Sequence, residues 1–304
     1  MDAPALRVPG RWTDVDGPVH YGEWAGPPEG PVFVCVHGLG GSLLNWAQVA
    51  PQLAERGRVL ALDLSGFGMT PPAGRGSDVG SNRLLLDGFL RALRLPPVIL
   101  VGNSMGGMIA VIQAAHNPAT VERLVLVDAA FPRGRTMASQ PPPRLAAAFA
   151  LFSSMLGECI LDNRSRRLGP ERLVRTTFRL SAADPSSIDP RPVDAYIQMV
   201  RERQSQDYAV RAFQEAARSI FRAQARPGRY RALVRAVDRP ALLHGARDRL
   251  APIAAAREAV RGHENWDLVV FEDLGHLPMM DAPDRFMAAV ERWLDGSRPP
   301  SGAP

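Results

Sequence analysis

The 304-residue chain contains no lysine: all 36 of its basic side chains are arginine. Such one-sided usage points first to biased codon usage. The arginines are spread along helical patterns and do not cluster with interleaved aromatics, so nucleic-acid binding is not expected. Cysteine is nearly as scarce. Cys35 falls inside a run of strand character and Cys159 in an apolar stretch, and two such residues argue against both a disulfide framework and a thiolate metal site. No apolar run reaches transmembrane length free of charges and turn residues, and no internal repeat is found. The first residues, Met1 to Asp16, are broken by Pro4, Pro9 and several charges, so no secretory signal is expected and a cytoplasmic location is. The net charge of +5 is compatible with a weak attraction for anionic substrates, although solvated surface arginine accounts for it.

What is present is the composition of an ordinary globular protein, 46% hydrophobic and 22% charged, at a length that supports one core domain carrying one large insertion. After a Pro/Gly-rich turn from Gly26 to Pro31, Val32 to Val36 is a short, continuous, β-branched run, the pattern of a strand buried on both faces. A helical segment from about Asn45 to Arg56 follows, then an apolar strand Arg58 to Leu62, a helix Ser81 to Leu93, a strand Val98 to Val101, a helix Met105 to His116 and a strand Val121 to Val127. Short connections and apolar strands imply an α/β fold, a mostly parallel, doubly wound sheet of about eight strands. Ligands should then sit at the C-terminal ends of the strands.

The rhythm stops between residues 131 and 238, where helical patterns and proline-rich turns (Pro141 to Pro143, Pro190 to Pro192) replace strands. We expect this stretch to be an inserted all-helical cap, with residues 1–130 and 239–304 forming the core domain. The strand Ala241 to His244, helix Pro252 to Arg261, strand Asp267 to Phe271 and helix Pro283 to Leu294 resume the alternation.

The strand ending at Val101 runs through Gly102-Asn103-Ser104-Met105-Gly106-Gly107 directly into a helix, the context that a G-x-S-x-G nucleophile elbow requires. The tight turn strains the serine backbone, the flanking glycines remove side chains that would collide, and the hydroxyl stands exposed above the sheet. A serine at its free pKa is a poor nucleophile and needs a base oriented by an acid. Asp248, just past the strand Ala241 to His244, and His276, in the loop after the last strand, stand in the order this fold expects. The catalytic candidates are therefore Ser104, Asp248 and His276. The oxyanion of an acyl-transfer intermediate needs two backbone N–H donors. Met105 supplies one, and Leu39, in the glycine-rich loop His37-Gly38-Leu39-Gly40-Gly41-Ser42, is best placed to supply the other. His37, Gly38, Gly40 and Asn103 are the candidates for contacting substrate. Neither a G-x-G-x-x-G spacing nor a G-K-[ST] ending is present, which disfavours phosphate cradling.

Through His37-Gly38-Leu39-Gly40-Gly41, Asp63-Leu64-Ser65-Gly66-Phe67-Gly68, Gly102-Asn103-Ser104-Met105-Gly106-Gly107, Gly245-Ala246-Arg247-Asp248 and Gly275-His276, the chain resembles the α/β-hydrolase superfamily over about residues 19 to 295. The elbow is similar to that of capped serine carboxylesterases and lipases, and to that of hydrolases cleaving carbon–carbon bonds of vinylogous diketones. The resemblance implies hydrolysis without a metal or organic cofactor, and none is expected. Serine at the elbow argues against haloalkane dehalogenase and epoxide hydrolase chemistry, which uses aspartate there. The carbon–carbon hydrolases typically carry His-Gly-x-Gly-Pro-Gly in the oxyanion loop. Gly41-Ser42 departs from that pattern and favours an esterase acting on a small ester with an apolar acyl group. Asp128 is an alternative acid, because some members of the fold place theirs after that strand. The apolar stretch Leu145 to Leu161, followed by Arg164, Arg166 and Arg167, suits an acyl pocket or a lid making transient contact with a lipid interface. The rival from another class is a non-catalytic ligand receptor on the same fold.

Overall fold

A computed structural model describes residues 8–132, 143, 147, 157–203, 206–225, 227–238, 240–261, 263 and 265–296. Its strands are β1 (Gly10–Asp14), β2 (Pro18–Trp24), β3 (Val32–Val36), β4 (Arg58–Leu62), β5 (Val98–Asn103), β6 (Val121–Val127), β7 (Ala241–Gly245) and β8 (Asp267–Phe271). They form one sheet in the order β1-β2-β4-β3-β5-β6-β7-β8. Pairing is parallel from β4 through β8, and antiparallel where β2 meets β1 and β4.

The central strands are continuous apolar runs because both faces are covered. Val34 and Val36 of β3, Leu60 and Leu62 of β4 and Leu100 of β5 point into one core, which holds Leu86 and Phe89 of α2 (Val79–Ala92) and Met108 and Ile109 of α3 (Met105–His116). Their neighbours Phe33, Cys35, Val59, Ala61, Ile99 and Val101 point into the other, with Leu53 of α1 (Ala50–Ala54) and Phe286 and Val290 near the C-terminus. Each side chain of this size taken fully out of water contributes roughly 1.5–3 kcal/mol before chain entropy is counted.

Between β6 and β7 the described chain is helical: α4 (Gly157–Ser181), α5 (Pro190–Arg203), α6 (Ala209–Ala225) and α7 (Pro227–Arg235). Gly169 (φ 69°) followed by Pro170 breaks α4 into two helical pieces. The stretch 145–161 read as an acyl-pocket or lid segment lies outside the described residues except for the start of α4, as do the side chains of Arg164 and Arg166. The chain closes with α8 (Ile253–Val260), α9 (Pro278–Asp281) and α10 (Pro283–Leu294). Among the described residues no helix is long and apolar enough to cross a membrane.

Two local expectations are corrected. The single helix expected over Asn45 to Arg56 is a 3-10 turn (Leu43–Trp46) followed by the five-residue α1, which restarts with Pro51 in its first turn, where a missing N–H costs nothing. The helix expected from Ser81 begins at Val79, because the Asp78 carboxylate caps it by accepting from the Gly80 and Ser81 N–H groups.

Candidate active site

Ser104 stands at the junction of β5 and α3 with φ 55° and ψ −115°, a left-handed backbone that a residue with a Cβ adopts only when its surroundings impose it. The constraints are visible. The Ser104 N–H donates to the Val127 carbonyl (3.0 Å), and the Ser104 carbonyl accepts from Ala130 N–H (3.0 Å), so the turn after β6 clamps the elbow from both sides. Gly106 has no room for a side chain, since an added Cβ would lie 2.1 Å from the Val36 carbonyl oxygen of β3.

His276 lies in the loop between β8 and α9, and its Nδ1 is 2.6 Å from Asp248 Oδ2. With the proton on Nδ1 toward the carboxylate, Nε2 is left with a free lone pair. The other carboxylate oxygen, Asp248 Oδ1, accepts from Leu250 N (2.7 Å) and Ala251 N (3.0 Å), which fixes the carboxylate plane. Burial alone would raise the Asp248 carboxyl, but the adjoining His276 imidazole, together with His244 and the Ala251 N–H, offsets this and holds it below the ordinary carboxylate range. The histidine backbone is pinned as well: its N–H donates to Ser181 O (2.7 Å), and its carbonyl accepts from Asn103 Nδ2 (3.1 Å). The residue before the serine thus holds the histidine.

The oxyanion candidates are presented in the same way. Among the described residues the N–H groups of Leu39 and Met105 have no hydrogen-bond partner. Gly38 brings its loop against the elbow, because an added Cβ there would meet Asn103 Oδ1 and Ser104 Cβ, each at 3.0 Å. Gly40 lies under α6, a methyl group at that position falling 3.3 Å from the Phe213 ring.

Two of the residues named as substrate contacts have other work. His37 is fully buried; its Nδ1 donates to Gly38 O (2.7 Å) and its Nε2 accepts from Leu64 N (3.0 Å). Burial holds its pKa below the ordinary value, so the ring is a neutral brace between two loops with no nitrogen left for a ligand. Asn103 is likewise buried, and its amide group bonds the Val127 and His276 carbonyls. Both residues use these hydrogen bonds to position the site.

Sequence reasoning missed three further residues. Asp63 accepts from Leu43 N (2.7 Å), Met69 N (2.8 Å) and His20 Nδ1 (2.8 Å), tying the oxyanion loop to β2 and to the loop after β4. Tyr196 of α5 accepts from Ser42 N (3.0 Å) and donates to Asn45 Oδ1 (2.6 Å), a buried hydrogen-bonded link from α5 to the glycine-rich loop after β3. Arg203, at the end of α5, donates to Gly66 O (2.7 Å) and to Gln206 Oε1 (3.2 Å). Burial lowers its pKa, and it makes no ion pair among the described residues.

The alternative acid, Asp128, is not bonded to His276; it is fully buried beside Asp248. Asp128, His244 and Asp248 each offer an atom within 4.8 Å of the others, a spacing that could hold a metal ion. The donors are engaged otherwise: His244 Nε2 donates to Ala251 O (2.7 Å) and Asp248 holds His276.

A strand-to-helix serine elbow on a mostly parallel sheet, with an acid and a histidine after the following strands, defines a class. The chain belongs to the α/β-hydrolase fold family, whose model matches residues 31–283. Over 288 residues it is 27% identical to a 2-hydroxy-6-oxononadienedioate/2-hydroxy-6-oxononatrienedioate hydrolase of Dechloromonas aromatica, covering 92% of each chain. Over 158 residues it is 34% identical to an sn-1-specific diacylglycerol lipase of Mus musculus, covering 51% of this chain and 50% of that one. Its structure is similar to that of Cfl2 from Burkholderia cenocepacia, with a TM-score of 0.76 at 25% identity over 98% of each chain. Family and relatives together make it a hydrolase.

Proposed function

We propose that this chain is a serine hydrolase that cleaves carboxylic esters through an acyl-enzyme. The observation that carries the reading is the bond from His276 Nδ1 to Asp248 Oδ2 (2.6 Å), in a histidine loop that Asn103 ties to the strained Ser104 elbow. His276 takes the Ser104 proton as the hydroxyl attacks the ester carbonyl, and Asp248 stabilises the resulting imidazolium. The free N–H groups of Leu39 and Met105 take the developing oxyanion. His276 then protonates the leaving alcohol, and a water activated by the same nitrogen releases the acid.

One observation favours a second reading, hydrolysis of a carbon–carbon bond in an acidic vinylogous diketone. The Arg203 guanidinium bonds the loop that also braces His37 and makes no ion pair among the described residues, so it offers a charge to a substrate carboxylate. Rates on p-nitrophenyl esters from acetate to palmitate, beside a vinylogous diketone acid, decide between the two. Ester turnover abolished by Ser104→Ala supports the esterase, and its chain-length optimum sizes the acyl pocket. Diketone cleavage with negligible ester turnover, and a KM that rises in Arg203→Gln, replaces it with the second reading. Inactivity on all substrates favours a receptor.

A further inference from the structure

Asp128 has no place in the mechanism above, yet its surroundings are unusual on four counts. It follows Val127, the residue whose carbonyl holds both the Ser104 N–H and the Asn103 amide. Its backbone is left-handed (φ 43°), a conformation that costs energy in a residue with a Cβ and persists only where the surroundings impose it. Its side chain is fully buried, with Oδ1 accepting from Gly245 N at 3.0 Å, while no ordinary donor reaches Oδ2 among the described residues. Finally, it is buried beside the catalytic acid candidate, an oxygen of its carboxyl lying within 4.8 Å of one of Asp248.

We propose that Asp128 is the proton-bearing half of a carboxyl–carboxylate pair with Asp248, and that it is a positioning residue for the catalytic acid. The proposal rests on the functional reading above. Two carboxylates buried side by side cannot both be ionised without a cation between them. The groups facing the pair supply none: His244 (3.6 Å from Asp128, 3.8 Å from Asp248) is buried and kept neutral by desolvation. Asp281 of α9 adds a further acidic group, and the Arg257 charge acts on His244 to keep it neutral. The proton therefore resides on one carboxyl. His276 holds Asp248 in the ionised form, which assigns the proton to Asp128. An O–H on Asp128 then donates to Asp248, which explains why no N–H or hydroxyl donor serves Oδ2 among the described residues. The pair gives Asp248 a second side-chain partner besides His276 and keeps the charge of the triad at a single carboxylate.

The experiment combines an infrared difference spectrum with the pH profile of kcat/KM. At neutral pH the wild type shows a protonated-carboxyl stretch that disappears in Asp128→Asn; this readout needs no turnover and stands even if the substrate class is wrong. In Asp128→Leu, kcat falls by about tenfold or more with little change in KM, the scale of a lost hydrogen bond to a charged group. Asp128→Asn, whose amide still donates to Asp248, restores most of that loss and leaves the acidic limb of the profile in place. If Asp128 were ionised, removing its charge would lower that limb by ~1 unit or more, and no protonated-carboxyl band would be lost. Either result overturns the proposal, as does an Asp128→Leu enzyme with wild-type kcat.

Discussion

Replacing Gly106 with alanine tests how tightly the elbow is built. The added Cβ would lie 2.1 Å from the Val36 oxygen and 2.6 Å from the His37 oxygen, both backbone atoms of β3 and its loop, where ordinary contact begins at 3.4 Å. Relief requires about 1.3 Å of separation between the elbow and the oxyanion loop, and neither partner is a flexible side chain. Forcing a group into such a space costs about 1–3 kcal/mol of stability. For a chain of this size that lowers Tm by roughly 2–10 °C. The catalytic effect is larger, because the same movement separates Ser104 and the Met105 N–H from the Leu39 N–H. A misplacement of about 1 Å reduces turnover by about 100-fold. The assay is kcat/KM on a p-nitrophenyl ester together with a thermal melt, with Gly228→Ala as the control, since an added Cβ there meets nothing within 4 Å. A Gly106→Ala enzyme with wild-type kcat/KM and Tm would refute the reasoning.

Three further outcomes follow from the same geometry. Tyr196→Phe removes the acceptor for Ser42 N and the donor to Asn45; kcat should fall by about 5- to 30-fold with KM little changed, in line with about 1 kcal/mol for each of the two hydrogen bonds, as steady-state kinetics will show. Asp248→Asn should cut kcat by about 10⁴-fold by stabilising the wrong His276 tautomer, while circular dichroism shows the fold intact. Burial raises the pKa of Asp281, which accepts from Gly275 N beside His276, to about 6 from the ordinary 3.8. A carboxyl raised in the folded state contributes stability that is full below about pH 4 and lost as pH rises through about 6. Asp281→Asn should therefore flatten the stability profile over that window and gain at most about 3 kcal/mol over wild type at pH 7, read by urea melts across pH.

The strands from β3 to β7 were legible because strands buried on both faces are continuous β-branched and aliphatic runs, Val32 to Val36 being the plainest, and the edge strand β8 keeps the apolar run Leu268 to Phe271. The N-terminal strands β1 and β2 were not. Gly10–Asp14 is mostly exposed and polar, and it pairs with Pro18–Trp24 across a turn at Asp16 and Gly17, so neither segment has an apolar run to announce it. The elbow and the acid–histidine order could be read from local motifs. The braces could not, because their partners are remote in sequence: Tyr196 meets Ser42 across 154 positions, and Asn103 meets His276 across 173. His37 and Asn103 looked like ligand contacts because polar residues in a site motif carry the same letters whether they face substrate or hold a loop. Only burial and hydrogen-bond partners separate those roles.

The measurement closest to the central claim is the mass of the protein quenched during turnover of a p-nitrophenyl ester, followed by peptide mapping. The account predicts an acyl adduct on the peptide carrying Ser104, absent in Ser104→Ala, which also loses ester turnover. An adduct on another residue, or undiminished ester turnover by Ser104→Ala, would contradict it.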